Sequence, residues 1–126
     1  MPITVEIAKD FRIEAAHFLP NVAADHQCHT VHGHSYLITL RVKGPIDEKL
    51  GWVMDLSHVS DTFFPLHKKL DHAFLNNIEG LENPTSENLA IWIMRNLVKD
   101  LPLLSSVSVE ATNRLAVTVY RQDLDM

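Results

Sequence analysis

The chain has 126 residues, 46% hydrophobic and 21% charged, enough for one domain with a single core and too ordinary for a disordered or fibrous protein. A formal charge of -5, with acids and bases interspersed, leaves no basic stripe for a nucleic acid backbone, and no apolar run approaches the roughly 20 residues of a membrane span. The single cysteine cannot close an internal disulfide, so a cytoplasmic setting is expected and Cys28 is left for packing, metal binding or chemistry.

From Ile3 to His17 apolar residues alternate (Ile3, Val5, Ile7, then Phe11, Ile13, Ala15), predicting a long strand with a break in register near Lys9-Asp10. After a polar loop over Pro20 to Gln27, a second strand is expected from about His32 to Val42, ended by Gly44-Pro45. The short segment Trp52 to Asp55 reads as an extension of the sheet. Leu56, Val59, Phe63, Leu66 and Leu70 then recur at helical steps, with Ser57 as the expected N-cap and Pro65 expected to kink or split the helix. A loop rich in Asn and Gly leads to Thr85 or Ser86, either of which would cap a second helix carrying Leu89, Ile93 and Leu97 and stopped by Pro102. Val107 to Thr112 and Ala116 to Tyr120 read as a hairpin turning near Asn113. The expected fold class is α+β: one domain over residues 1–126, with an antiparallel four-stranded sheet covered on one face by two helices.

Eight histidines in a chain of this size invite the question of whether several converge. His32 and His34 are two apart on a strand, so their side chains share a face, and Gly33 between them leaves the backbone unobstructed. Zinc sites commonly use histidine nitrogens, and catalytic ones take three protein ligands and leave a fourth position open. His17 ends the first strand, and an antiparallel partner would bring it beside the His32-Gly33-His34 run, completing the set. The alternative is three surface or capping histidines, which does not account for all three lying at strand ends.

Cys28 has three readings: a fourth ligand that would close the site, a thiol activated as base or nucleophile, or a buried apolar residue, the last disfavoured by its neighbours His26, Gln27, His29 and Thr30. In Asp71-His72 a carboxylate can fix an imidazole tautomer and leave its other nitrogen free for proton transfer; a helix C-cap explains the pair equally well. His26, His29, His58 and His67 read as surface groups, and Trp52 and Trp92 as core.

Phe11 to His17 (FRIEAAH), Cys28-x-x-x-His32-Gly33-His34, Leu70-Asp71-His72 and Leu81 to Asn88 (LENPTSEN), taken together and in this order, resemble the 6-pyruvoyl-tetrahydropterin synthase superfamily, most of all its bacterial 6-carboxy-tetrahydropterin synthase branch. The resemblance implies the tunnelling fold, with subunits joined through their sheets into a barrel and a hexamer of two trimers. It implies Zn2+ on His17, His32 and His34, Cys28 as a thiolate exchanging protons with substrate, and His72 with Asp71 as the complementary acid or relay. Thr85 and Ser86 match positions near the pterin. The implied reaction converts 7,8-dihydroneopterin triphosphate to 6-carboxy-5,6,7,8-tetrahydropterin with loss of acetaldehyde and triphosphate, a step toward queuosine. Alternatives are the pyruvoyl-forming reaction or that of a side-chain-cleaving relative, a pterin- or metal-binding protein without turnover, and hydrolysis by metal-bound water, which gives Cys28 no role.

One position departs from the family. A strand reading Val-x-Val-x-Glu-Thr there presents a glutamate to the pterin's guanidine-like edge, whereas Ala111 stands in that place here and Glu110 comes one residue early. Glu110 takes over only through a bulge or slipped register, because one residue along a strand changes face.

Overall fold

A computed structural model describes residues 3–124; Met1, Pro2, Asp125 and Met126, at the ends of the single domain expected over 1–126, lie outside the described residues. The elements are β1 (Thr4–His17), β2 (His32–Pro45), α1 (Leu56–Leu70), β3 (Ala73–Phe74), α2 (Ser86–Leu97), β4 (Leu104–Glu110) and β5 (Ala116–Tyr120), with single 3-10 turns at Gln27–His29, Leu75–Asn77 and Arg121–Asp123. The sheet order is β3-β1-β2-β4-β5. It has five strands rather than four, because β3, two residues long and parallel to β1, is too short to carry any alternation. The other pairings are antiparallel, as expected.

β1 and β2 pair without interruption from Thr4 opposite Pro45 to His17 opposite His32, so the register break expected at Lys9-Asp10 does not occur. Lys9 simply takes its turn on the less exposed face, between Ile7 and Phe11. The irregularity lies instead in the β2–β4 pairing, between Arg41 and Val42. On the helix-facing side, Ile13, Tyr36, Ile38, Leu40, Val107 and Val109 pack against Val59, Phe63 and Leu70 of α1 and Leu89, Ile93, Met94 and Leu97 of α2 in one core. The opposite face is polar and cross-linked, with Thr39 donating to Asp10 (2.8 Å), Ser35 to Glu14 (2.5 Å) and Arg41 to Ser108 (2.5 Å).

Several boundaries differ from expectation for local reasons. Asp55, not Ser57, caps α1, its carboxylate accepting the Ser57 N–H at 2.8 Å. Pro65 leaves α1 unbroken because the carbonyl it deprives, that of Asp61, lies on an exposed turn where water can serve. Trp52 is 42% exposed and closes a small loop by bridging to Asp47, so the segment does not extend the sheet and Trp52 stays out of the core, while Val53 and Met54 pack against it. Thr85 caps α2, which ends at Leu97, well before Pro102, in a turn where Asp100 and Leu101 both donate to the Leu97 carbonyl. Trp92 packs on the core as expected, with its indole donating to the Glu79 carbonyl; a Cβ on Gly80 (φ 93°) would meet its ring at 2.9 Å. β4 begins at Leu104 and ends at Glu110. The hairpin turns through Thr112 to Arg114, with Arg114 in the left-handed region at φ 68°.

Candidate active site

The β1–β2 register sets His17 directly across from His32, and His34 across from Ala15, all on the helix-facing side. One ligand nitrogen from each of His17, His32 and His34 lies within 4.8 Å of the others. The second nitrogens reveal the tautomers. His17 Nδ1 sits 2.8 Å from the Pro84 carbonyl and His32 Nδ1 2.7 Å from the Thr30 carbonyl. A carbonyl only accepts, so both Nδ1 atoms carry protons, and in the neutral rings both Nε2 atoms present lone pairs. Those two Nε2 atoms are 3.0 Å apart. Lone pairs facing one another at that distance repel unless a cation or a proton lies between them. The three histidines could therefore hold a metal ion.

Electrostatics point the same way. Burial holds His17 below its ordinary pKa, with repulsion from His32 and His34 adding to the effect and the Pro84 carbonyl opposing it; burial and His32 lower His34 likewise. Neutral imidazole is the form that ligates. The supporting groups carried little signal in the sequence. Pro84 acts through a backbone carbonyl, fixed by the start of α2, where Thr85 Oγ1 accepts the Asn88 N–H and Asn88 donates to the Asn83 carbonyl. The Asn76 side chain bonds both the N–H and the carbonyl of Phe18, locking the backbone just past His17. Tyr36, 1% exposed, places its hydroxyl 3.4 Å from both nitrogens of His17, and burial pushes its phenol up.

Asp71 and His72 leave α1 at the β1 edge. Asp71 is the C-cap of α1; its Oδ1 accepts the Glu14 N–H at 2.8 Å and its Oδ2 lies 3.1 Å from His72 Nδ1. The His72 N–H donates to the Glu14 carbonyl at 2.5 Å, and its φ of 61° is a left-handed conformation more usual for glycine. The Glu14 N–H, with His72 in support, holds the Asp71 carboxyl below its usual range. A groove of about 460 Å3 has His34 and His72 among its walls, with Glu14, Gly33, Ser35 and Thr112.

Cys28, half-buried in the Gln27–His29 turn, lies outside the mutual 4.8 Å cluster, so it is not a fourth member of the histidine set. Its N–H donates to His26 Nδ1, which makes His26 a local cap; His29 is half-buried beside Phe18, and His58 is exposed. His67 is not a free surface group: it stacks on Phe63 and reaches the Arg12 carbonyl at 2.8 Å. β4 pairs through Glu110 opposite Leu37 with no bulge at that point. Glu110 thus stays on the polar face, and Ala111, 7% exposed, turns to the side of the histidines. The slip that would exchange them does not occur. Thr85 spends its oxygen on the α2 cap, and Ser86 is the first residue of that helix.

Residues 6–122 match the family model described as 6-pyruvoyl tetrahydropterin synthase. The chain belongs to this family. Among 6-pyruvoyl tetrahydropterin synthase relatives, it is 42% identical over 113 residues to the Synechocystis protein named 6-carboxy-5,6,7,8-tetrahydropterin synthase, covering 84% of this chain and 85% of that one. It is 32% identical over 111 residues to the Bacillus subtilis protein of the same name, covering 83% and 73%. A Pyrococcus furiosus dihydroneopterin monophosphate aldolase is 40% identical over a shorter 72 residues, 57% of this chain and 60% of that one. The structure of Caenorhabditis elegans 6-pyruvoyl tetrahydropterin synthase superposes with a TM-score of 0.87 at 24% identity, covering 94% and 96% of the two chains, which shows the shared fold.

Proposed function

We propose that this protein is a zinc-dependent lyase that converts 7,8-dihydroneopterin triphosphate to 6-carboxy-5,6,7,8-tetrahydropterin, releasing acetaldehyde and triphosphate, in the route to queuosine. The observation that carries the reading is the pair of Nε2 lone pairs 3.0 Å apart at His17 and His32, with His34 beside them. Three neutral imidazoles are a donor set that suits zinc and leaves a position for substrate. Zinc bound there supplies Lewis acidity toward the hydroxylated side chain of the substrate. Cys28 as a thiolate takes and returns substrate protons, and His72 is the complementary acid, its Nδ1 oriented by Asp71 and its Nε2 left to move a proton. Thr85 and Ser86 lie at the pterin end. The similarity to the Synechocystis and Bacillus subtilis proteins favours the carboxy product.

Glu110 on the polar face leaves the pterin's guanidine-like edge without a carboxylate at Ala111, so pterin affinity is low for the family. Ala111 is also what favours the second reading, a homologue that binds metal and pterin with impaired turnover. A pyruvoyl-forming reaction or a side-chain-cleaving one is the remaining enzyme reading, the latter supported by the Pyrococcus furiosus similarity.

The tunnelling-fold assembly, a homohexamer of two trimers, is supported by the edges of the sheet. Among the described residues the outer edge of β1 is engaged only from Arg12 on, by α1-end groups and β3, and β5 is an edge strand, so the first part of β1 and β5 are available to copies of the chain. No helix among the described residues is long and apolar enough to cross a membrane, and the single thiol fits a cytoplasmic setting.

The test is to incubate zinc-loaded protein with dihydroneopterin triphosphate and identify products by mass. Acetaldehyde with carboxypterin is expected; a pyruvoyl product transfers the assignment to the other branch, and no product at any zinc loading sinks both. Cys28→Ala should retain zinc and lose turnover.

A further inference from the structure

A second cleft, of about 850 Å3, lies at the other end of β2 and β4 from the histidines. Arg41 stands about 23 Å along β2 from His34, at roughly 3.3 Å per residue, so one small molecule cannot use both ends of this chain at once. Arg41, Lys43 and Arg121 line the cleft, against one carboxylate, Glu6. In a chain of net charge -5 that local excess of positive charge creates its own field.

None of the three cations is ion-paired among the described residues, where the only salt bridge is that of Asp71 with His72. Glu6 instead accepts from Ser105, at 3.4 Å. Two of the cations are held in place by neutral groups. Arg41 donates through Nη1 to Ser108 Oγ at 2.5 Å, and Ser108 bonds Thr118 at 2.8 Å; Arg121 donates to the Pro102 carbonyl. A guanidinium so anchored keeps its charge and further N–H donors available without the entropic cost of freezing a mobile side chain. Ser106, 2% exposed, also lines the cleft. The volume falls within the range of small-molecule sites.

We propose that this cleft is a binding site for a small polyphosphate anion, neutralised by Arg41, Lys43 and Arg121 and offered a hydrogen bond by Ser106. Three separated cations match an anion with several charged centres better than a monocarboxylate, which two donors of one arginine would satisfy. The inference rests on these residues alone and holds whichever pterin reaction the histidine end performs.

Isothermal titration of the zinc-loaded protein with inorganic triphosphate tests it. Saturable binding is expected, weakened by added salt. Lys43→Glu, at an exposed position, should weaken it at least about tenfold while leaving the melting temperature unchanged, and Arg121→Gln should weaken it several-fold. His32→Ala, which removes the metal, separates this site from triphosphate captured by zinc. Binding that survives in His32→Ala and falls in Lys43→Glu supports the proposal. Binding lost in His32→Ala and unchanged in Lys43→Glu overturns it, as does an absence of saturable binding into the millimolar range.

Discussion

His17 and His32 face each other across paired strands with Nε2 atoms 3.0 Å apart, while each gives its Nδ1 proton to a backbone carbonyl. The carbonyls fix both tautomers before any ion arrives. Zinc should therefore bind to an already ordered site and raise the melting temperature, by an amount equivalent to about 2.7 kcal/mol at a hundredfold excess over Kd. His32→Ala should abolish both the thermal shift and the retained zinc measured by atomic emission; a variant that keeps full stoichiometry removes His32 from the set.

The α2 cap offers a way to disturb the histidine cluster without touching a histidine. Thr85→Ala loses the bond to the Asn88 N–H and should destabilise the protein by about 1 kcal/mol. It should also loosen the Pro84 carbonyl that orients His17 and reduce zinc affinity by about tenfold or more. Thr85→Ser keeps an oxygen in place and should recover both. Competition with a chelator reads the affinity, and urea unfolding reads the stability.

Asp71 links the site to acid stability. Its carboxyl lies below the ordinary 3.8 because the Glu14 N–H and His72 favour the ionised form. A depressed folded-state pKa contributes stability that is complete above the unfolded value and is lost as pH falls from there through the lower, folded value. Asp71→Asn can keep the Glu14 hydrogen bond but has no proton to gain. Its urea midpoint should fall less steeply than the parent's as pH falls through and below the ordinary carboxylate range. Parallel curves for the two proteins would remove Asp71 from the acid transition.

Two non-glycine residues hold left-handed backbone, and they should respond differently to glycine. Arg114→Gly relieves the hairpin turn and should stabilise by about 0.5 to 1 kcal/mol with turnover unchanged. His72→Gly relieves the same strain after α1 but deletes the imidazole, so it should raise or hold the melting temperature while turnover collapses. If His72→Gly keeps its turnover, the proton role assigned to His72 is wrong.

Restoring the family's carboxylate is a test in the other direction. Ala111→Glu should lower KM for the pterin about tenfold, the roughly 1.4 kcal/mol that a charged hydrogen bond is worth, with a smaller effect on kcat. An unchanged KM would mean that the pterin is held elsewhere.

The histidine set was readable from the sequence because two rules met there: side chains two apart share a strand face, and a residue ending one strand lies beside the start of its antiparallel partner. β1 and β2 carried long alternation and were placed nearly to their ends, and four of the five strands followed from the same signal. Lys9 misled because a charged residue on a partly covered face looks like a break. β3 has only two residues, Asp55 was passed over for the Ser57 beside it, and Trp52 reads as core by composition although its short loop gives it nothing to pack under. The carbonyls of Pro84 and Thr30 carry no side-chain signature at all. Arg41, Lys43 and Arg121 share a cleft only because β2 runs antiparallel to β4 and the chain returns along β5.

The edge of β1 near its end is occupied in steps. His67 takes the Arg12 carbonyl, Asp71 the Glu14 N–H, His72 the Glu14 carbonyl, and β3 then pairs at Ala15 and Ala16, with His17 next along the strand. The chain thereby uses one strand as a ruler for two side-chain clusters. Groups more than fifty positions apart in the chain are mounted on a common rail, so a shift of α1 against the sheet cannot move Asp71 and His72 without pulling at the strand that carries His17.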